Sequence, residues 1–464
     1  MMKKALFFVT VFLSISCFSQ NRQIAYNFTS VPQSLLSNPG SDVKYNWFVG
    51  IPLLSGFSAT MGSSSFSAYD LFANNGVDFN TKLRNVVFST SRNDKVSINE
   101  QLEIFSGGFK LGDWQSNSYL SFGMYQELDV LVYMPKDFAV LALDGNKNYL
   151  GKIFDFNDLN TRAELLSVFH LGYHKKVSEK LILGVRGKIY SSIFNVSSTK
   201  NSGYFYTIPG ANSIYEQVIY SNSLLNTSGF LNYTENYTGN VKSDITKKAF
   251  LGGNLGLGFD AGLTYYPQKN IQFTASIIDV GFIKHTKEVE NYSYKGYYKY
   301  EGLTPDFITG NTSGNIIQEF LDAIPLETLN TKYTTWRPVK FNSSIQYSFG
   351  DGRSSECNCD GNEMKYSNSV GAQLFAMSTP RIPLMAFTAY YRRYIFDSLE
   401  MKTTYTIDSF SSKNIGLGLS TTIGKVNFYA LVDNLLEYQD ISKANSLSFQ
   451  LGFNIIFPQK NAPD

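Results

Sequence analysis

The stretch from Leu447 to Phe457 constrains this chain more than any other. Its odd positions, Leu447, Phe449, Leu451, Phe453, Ile455 and Phe457, are all apolar, whereas the even positions from Ser448 to Asn454 are polar or glycine. A period of two puts these sets on opposite faces of a β-strand, one greasy and one wet. The run ends on an aromatic residue, followed by Pro458 and a polar tail, residues 458–464. Such a strand suits a soluble sandwich or a membrane barrel, and the rest of the chain decides between them.

The amino terminus reads as an export signal. Lys3 and Lys4 precede the apolar run Ala5 to Ile15, and small residues follow around Cys17 and Ser19. That run is too short to span a bilayer as a helix, so residues 1–19 are set aside, with cleavage after Ser19 leaving Gln20 first. Cys17 introduces a lipid-modified terminus as the alternative, which Ser14 three residues earlier fits poorly. No other stretch has the roughly 18 uncharged apolar residues of a membrane helix. An exported chain integral to a membrane must then form a closed β-barrel, the other structure that satisfies its backbone in lipid. The 31 Tyr, 37 Phe and 36 Gly, with only 17% charged residues, agree, because alternating strands dilute hydrophobicity while aromatic girdles raise Tyr and Phe. A net charge of +2 calls for no nucleic-acid or acidic partner. Outer-membrane lipid is the expected surrounding, and the barrel-assembly machinery a transient partner during insertion.

Alternation and turn residues predict about fourteen strands. The first half supplies 45–63, 97–111, 117–134, 163–177, 179–197, 249–267 and 270–288. The second supplies 336–350, 364–377, 383–396, 398–408, 413–423, 425–434 and 446–457. Barrels of this kind keep their turns short on the periplasmic side and place long loops outside. With the N-terminus on the periplasmic side, five of the six connections there are tight, and 351–363 is the exception. The loops 64–96, 135–162, 198–248 and 289–335 all fall on the other side. The predicted organisation is an N-terminal segment 20–44, a transmembrane antiparallel β-barrel over 45–457 and the tail.

Parity assigns faces. In the eighth strand Val339, Phe341, Ile345, Tyr347 and Phe349 point to lipid, and Lys340, Asn342, Ser344, Gln346 and Ser348 to the lumen. In the sixth, Leu251, Leu255, Leu257, Phe259 and Leu263 point outward, and Gly252, Gly256, Gly258 and Gly262 inward, where glycine admits close approach. The chain's own N-terminal segment is a candidate for what approaches. The lumen also receives Glu127, Asp129, His170, His174, Arg186, Lys188 and Asp260. Two histidines four apart share a face, and nearby carboxylates would be needed to complete a metal site. Their Cα atoms would stand about 13 Å apart at the strand rise, so an internal ion-pair network is the reading adopted, with no metal and no cofactor. Alternation slips at Asp279, after Ile277 and Ile278, which predicts a wall bulge over Asp279 to Gly281.

Cys357 and Cys359 lie in the one long periplasmic turn, where a local disulfide, a redox or metal role and two idle thiols all stand open. Residues 315–325 have helical apolar spacing at Ile316, Ile317, Phe320, Leu321 and Ile324, which predicts a short external helix capping the barrel or docking a partner. The loop 198–248, rich in Tyr, Asn, Ser, Thr and Gly, suits polar surface contacts. No nucleophile elbow, phosphate-binding glycine loop or closed metal motif occurs, so no enzyme is expected.

Several motifs bear a family resemblance. Gln450, Gly452, Ile455 and Phe457 resemble the C-terminal β-signal of Gram-negative outer-membrane barrels. The hairpin from His170 through Gly184 to Tyr190 resembles one that recurs in the FadL and PorV group of fourteen-stranded barrels. The run Ala275 to Gly281 is similar to a later strand of that group. Asn38, Pro39 and Gly40 are similar to the Asn-Pro-Ala before its first strand, with Gly40 in place of Ala. The whole chain looks most like a group of FadL-like outer-membrane proteins of Bacteroidota. The resemblance implies an N-terminal hatch in the lumen and one of two tasks. One is a passage or binding site for hydrophobic or small solutes, with the lumen and the Asp279 bulge as its route. The other is a non-transporting accessory subunit of a multi-protein outer-membrane machine for secretion or barrel assembly.

Overall fold

The computed structural model describes residues 23–112, 117–211, 213–230, 239–302, 316–350, 366–396 and 398–458. Fourteen staves form one closed antiparallel wall. They are β1 (Tyr45–Gly50, resuming at Phe57–Ser63), β2 (Lys95–Leu111), β3 (Ser118–Tyr133), β4 (Thr161–Ser178) and β5 (Leu181–Ser198). Then come β6 (Asn254–Gln268), β7 (Ile271–His285), β8 (Tyr333–Trp336, resuming at Lys340–Phe349), β9 (Asn368–Met377) and β10 (Leu384–Phe396). The last four are β11 (Leu399–Ile407), β12 (Asn414–Ile423), β13 (Val426–Asp433) and β14 (Ser446–Pro458). Each stave pairs with its chain neighbours, and β14 returns to β1 with Phe457 opposite Trp47. The two rings stack at that seam with centroids 3.4 Å apart. Closure leaves the wall no free edge, which lipid would not tolerate.

Alternation sorts the side chains as parity predicts over most of the wall. In β8, Phe341, Ile345, Tyr347 and Phe349 are exposed on the outer face, and Asn342, Ser344, Gln346 and Ser348 are buried. In β6, Leu255, Leu257 and Phe259 face out. The inward placement of Gly252 fails, because it is exposed in an irregular turn that precedes the strand, where Leu251, itself exposed, takes a positive φ. Among the described residues, no helix is long and apolar enough to cross a membrane.

Three irregularities coincide with prolines, which cannot donate to the ladder. The predicted continuous strand 45–63 breaks at Pro52, where Leu53 takes a positive φ and Ser55 turns into the lumen. The eighth strand breaks over 337–339 around Pro338. The β6–β7 register slips between Tyr265 and Gln268, across Pro267.

The two ends of the barrel differ. At one, hairpins turn over a few residues, as at Glu179–Lys180 and Gly424–Lys425. At the other, four long connections build a separate layer. Strands Ile153–Asp155, Ser202–Pro209, Tyr215–Ser228, Val289–Tyr300 and Leu326–Leu329 form a five-stranded antiparallel sheet, joined to the wall where Ser228 pairs with Asn195. Helices Phe79–Ser89 and Lys136–Asp144 help cover it through a core of Val87, Val140, Phe154 and Phe156. Within the loop 198–248, Ser202–Pro209 and Tyr215–Ser228 thus belong to this sheet. The helix predicted within 315–325 forms over Ile316–Ala323, with Phe320 against Tyr298 and Ile317 exposed.

Candidate functional site: the filled lumen

Residues 23–43 run inside the barrel. Ile24, Tyr26, Phe28, Val31 and Leu35 are all buried there. Wall cations clamp this segment by its carbonyls: Lys402 Nζ donates to Ile24 O at 3.0 Å and Tyr26 O at 2.7 Å, and Arg186 donates to Leu35 O and Leu36 O. Wall hydroxyls add to this, with Ser276 Oγ donating to Ser37 O at 2.7 Å and Thr264 Oγ1 to Gly40 O at 2.8 Å. Asn27 Nδ2 reaches Gln272 and Gln346, and Gln33 joins Glu103 and Asn454. Apolar packing completes the fit, with Ile24, Ala25, Phe28 and Val31 on Tyr429 and Leu431 of β13. Burial pushes the Tyr26 phenol above its ordinary value.

Asn38, Pro39 and Gly40 sit where two inward glycines leave room. A Cβ at Gly262 would stand 2.0 Å from Asn38 Oδ1, and one at Gly184 2.0 Å from Pro39 O. Any larger residue at either position collides with the segment. Asn38 closes its own turn by accepting from Gly40 N at 2.9 Å and donates to Leu263 O.

Beyond this segment the lumen carries a chain of alternating charges. Arg186 and Lys188 flank Asp260 at 3.1 and 2.9 Å, Lys188 bridges on to Asp279 at 2.6 Å, and Lys340 meets Asp279 at 3.0 Å. Lys340 reaches Glu127 at 3.3 Å, and Arg337 ties Glu127 to Glu164 at 2.9 and 2.6 Å. Arg162 pairs with Asp129 beside them. Five cations thus meet five carboxylates, nearly all of them deeply buried. Removing any one leaves an uncompensated charge, so the network acts as a unit.

Asp279 is where wall and network join. Its φ is +62°, and the β6–β7 register skips so that Phe259 faces Val280 while Ala261 faces Ile277. Ile278 and Asp279 therefore both turn inward. Asp260 Oδ1 accepts from the Asp279 amide at 2.7 Å, and Gly281 O accepts from Arg337 N. Side chains fill the bulge from within, because Ile278, Asp279 and Arg337 are all buried.

The two lumenal histidines go separate ways. His174 stacks on Tyr119 with centroids 5.1 Å apart, whereas His170 lies against Tyr125 and both its ring nitrogens are buried without a hydrogen-bond partner. Among the described residues no group of three His, Cys, Asp or Glu could hold a metal ion. Cys357 and Cys359, like Cys17, lie outside the described residues. In β14, Gln450 and Gly452 face the lumen, while Ile455 and Phe457 lie on the outer face.

Arg337 and Glu164 are the principal network members that sequence reasoning missed. Parity through the predicted strand 336–350 sends Arg337 outward with Val339, and only the break at Pro338 turns it in. Glu164 shares parity with His170, so the signal for it was present. A second lumenal set, Arg392 paired with Glu400 at 3.1 Å and Lys402 beside them, was equally readable from β10 and β11.

A cavity of about 50 Å³ beside this network is lined by Glu127, Lys188, Asp279, Lys340 and Tyr125, with Leu36 and Ile278 among its other walls. At the loop end, Arg381 from the β9–β10 connection reaches Asp158 at 2.5 Å and the Arg92 carbonyl at 3.0 Å, while Tyr133 meets Thr379.

Comparison with solved structures returns matches over most of the chain at very low identity. A FadL homologue of Pseudomonas aeruginosa aligns with a TM-score of 0.41 and 9% identity, covering 93% of this chain and 95% of that one. A mutant of the monoaromatic hydrocarbon channel TodX aligns with a TM-score of 0.40 and 9% identity, covering 92% and 93%. The translocator domain of the autotransporter NalP from Neisseria meningitidis aligns with a TM-score of 0.32 and 7% identity, covering 91% and 92%. No curated protein matches the sequence. A family model spans residues 39–433, from the Pro39 contact in the lumen to the end of β13. The chain belongs to the family of unknown function DUF5723.

Proposed function

We propose that this chain is an outer-membrane β-barrel of a Gram-negative bacterium that is held closed, and that it serves as a non-conducting accessory subunit of an outer-membrane protein assembly. The short turns and the end of β14 face the periplasm in this reading, and the five-stranded sheet with its helices faces outward. One observation carries it: the lumen is filled by residues 23–43 and the ten-member ion network, with Arg381 clasping Asp158 above. An apolar solute crossing this lumen would have to strip paired charges of their partners, at several kcal/mol each. The outer layer meanwhile offers exposed apolar groups for contact, Phe72, Ile214 and Ile317 among them.

A second reading is supported by the wall itself. The break at Arg337–Val339 faces the bulge at Asp279, so β7 and β8 lose their ladder at the level of the network. A passage for hydrophobic or small solutes would use that weak seam once the N-terminal segment had moved.

Uptake of a labelled long-chain fatty acid into vesicles carrying the purified barrel separates the two. The accessory reading expects uptake no faster than in empty vesicles, together with a partner that co-purifies in fixed ratio after gentle extraction. Uptake that is abolished by a disulfide tying the segment to the wall would replace it with the passage.

A further inference from the structure

We propose that the five-stranded external sheet binds a neutral polysaccharide chain across its open face. The register builds that face. Tyr204 stands opposite Tyr220, and Tyr220 opposite Tyr297, so tyrosines on three adjacent strands form one row on the same side. Tyr206, two residues along from Tyr204, adds a fourth ring. On the other flank of the row, Ser202 stands opposite Asn222 and Asn222 opposite Lys295, which makes a parallel row of polar side chains. The reverse side of the sheet, with Phe154, Phe205 and Ile219, is the one packed on the helices.

Three features point to a sugar chain. The rings lie side by side rather than covering one another: Tyr204 is 5.6 Å from Tyr220 and 5.8 Å from Tyr206, with planes tilted by 37° and 26°. Tyr297, at the end of the row, is 52% exposed. Cross-strand packing accounts for the ring pairs, yet the four hydroxyls hydrogen-bond to no described residue and none is sealed from solvent. The second feature is the spacing. Neighbouring strands are about 4.8 Å apart, so the row repeats at that step over about 10 Å. This step is close to the length of one pyranose unit in an extended chain. The C–H face of such a unit suits an aromatic ring, and its rim of hydroxyls suits the free side chains of Ser202 and Asn222. The third feature is charge. Lys299 on this face is paired with Glu216 at 3.0 Å, and Lys295 is balanced in number by Asp155, so neither a uronate nor a phosphate polymer is favoured. A protein partner would look for aliphatic anchors, and Ile153 at the sheet edge is the one exposed aliphatic side chain among the described residues of these rows. Placing the polysaccharide outside the cell rests on the outward orientation of this layer proposed above, whereas binding measured in detergent does not.

The test titrates the full chain, folded in a zwitterionic detergent without a sugar headgroup, with cello-, laminari-, malto- and mannohexaose in a calorimeter. At least one hexaose should bind saturably and its monosaccharide far more weakly, with little dependence on salt because no charge is matched. Tyr220→Ala with Tyr297→Ala should weaken binding about tenfold or more, whereas the corresponding pair of Phe substitutions, which keeps the rings, should cost severalfold at most. Asn222→Ala should weaken it severalfold. Tyr215→Ala, on the same strand but on the helix-packed side, should change nothing. Amide exchange over Tyr215–Ser228 checks that each variant keeps its sheet, and Asn222→Ala carries the test if the alanine pair loosens it. Binding of none of the four hexaoses, or binding unchanged in both the alanine pair and Asn222→Ala, would overturn the site. Loss of a co-purifying protein from the alanine pair, with no hexaose bound by the parent chain, would overturn it too and give the face to a protein partner.

Discussion

The two sides of the lumen solve the same problem differently. From β3 to β8 the space is bridged by charges on long side chains, Arg337, Lys340 and Lys188 spanning between Glu127, Glu164, Asp260 and Asp279. From β9 to β14 the wall instead receives the N-terminal segment itself, with Ile24 and Phe28 on Tyr429 and Leu431 and with Lys402 gripping backbone carbonyls. The first side braces wall to wall and also holds residues 35–40 of the segment through Arg186, Thr264 and Ser276, whereas the second grips residues 24–31. Damage to the ion pairs of the first should therefore weaken the barrel, and damage to the second should loosen residues 24–31 while sparing the barrel.

The largest effect is expected from Arg337→Met, which removes the ion pair of Glu164 and one of those of Glu127. Breaking a buried pair in this way costs about 3–5 kcal/mol. The urea midpoint for unfolding from vesicles should fall accordingly, and an unchanged midpoint would mean that the charges do not brace the wall. Gly262→Val tests the junction of the two sides. Its side chain occupies the place of Asn38, so the segment should leave and become open to added protease while the heat-modifiable barrel persists. Lys402→Met removes two carbonyl contacts, worth roughly 1–3 kcal/mol in total, and should raise amide exchange around Tyr26 without moving the urea midpoint. Ser276→Ala, which removes one hydrogen bond to Ser37 O, should give the smallest change, about 0.5–1.5 kcal/mol confined to residues near Ser37.

Most of the wall was legible because a barrel obeys a strict period of two over long strands. The closing strand, with its apolar odd positions, pairs with β1 as its pattern required, and Phe457 meets Trp47 at the seam. The eight lumenal residues singled out by parity, from Glu127 to Lys340, point inward, and all but His170 and His174 enter the ion network. Part of what parity missed traces to prolines. Pro52, Pro267 and Pro338 each sit inside a predicted strand, and at each the ladder slips or breaks. Reading those prolines as interruptions would have broken the first strand and allowed Arg337 to turn inward. The external sheet was hidden for another reason. Its strands pair with partners tens of residues away, as Tyr297 does with Tyr220, so the sequence between them reads only as a polar, Tyr-rich loop.

The central claim is that residues 23–43 close this barrel, and current across a planar bilayer tests it most directly. The full chain should insert without stable conductance, and a chain lacking residues 23–43 should show discrete openings. Steady open-channel current from the full chain, equal to that of the deletion, would contradict the account.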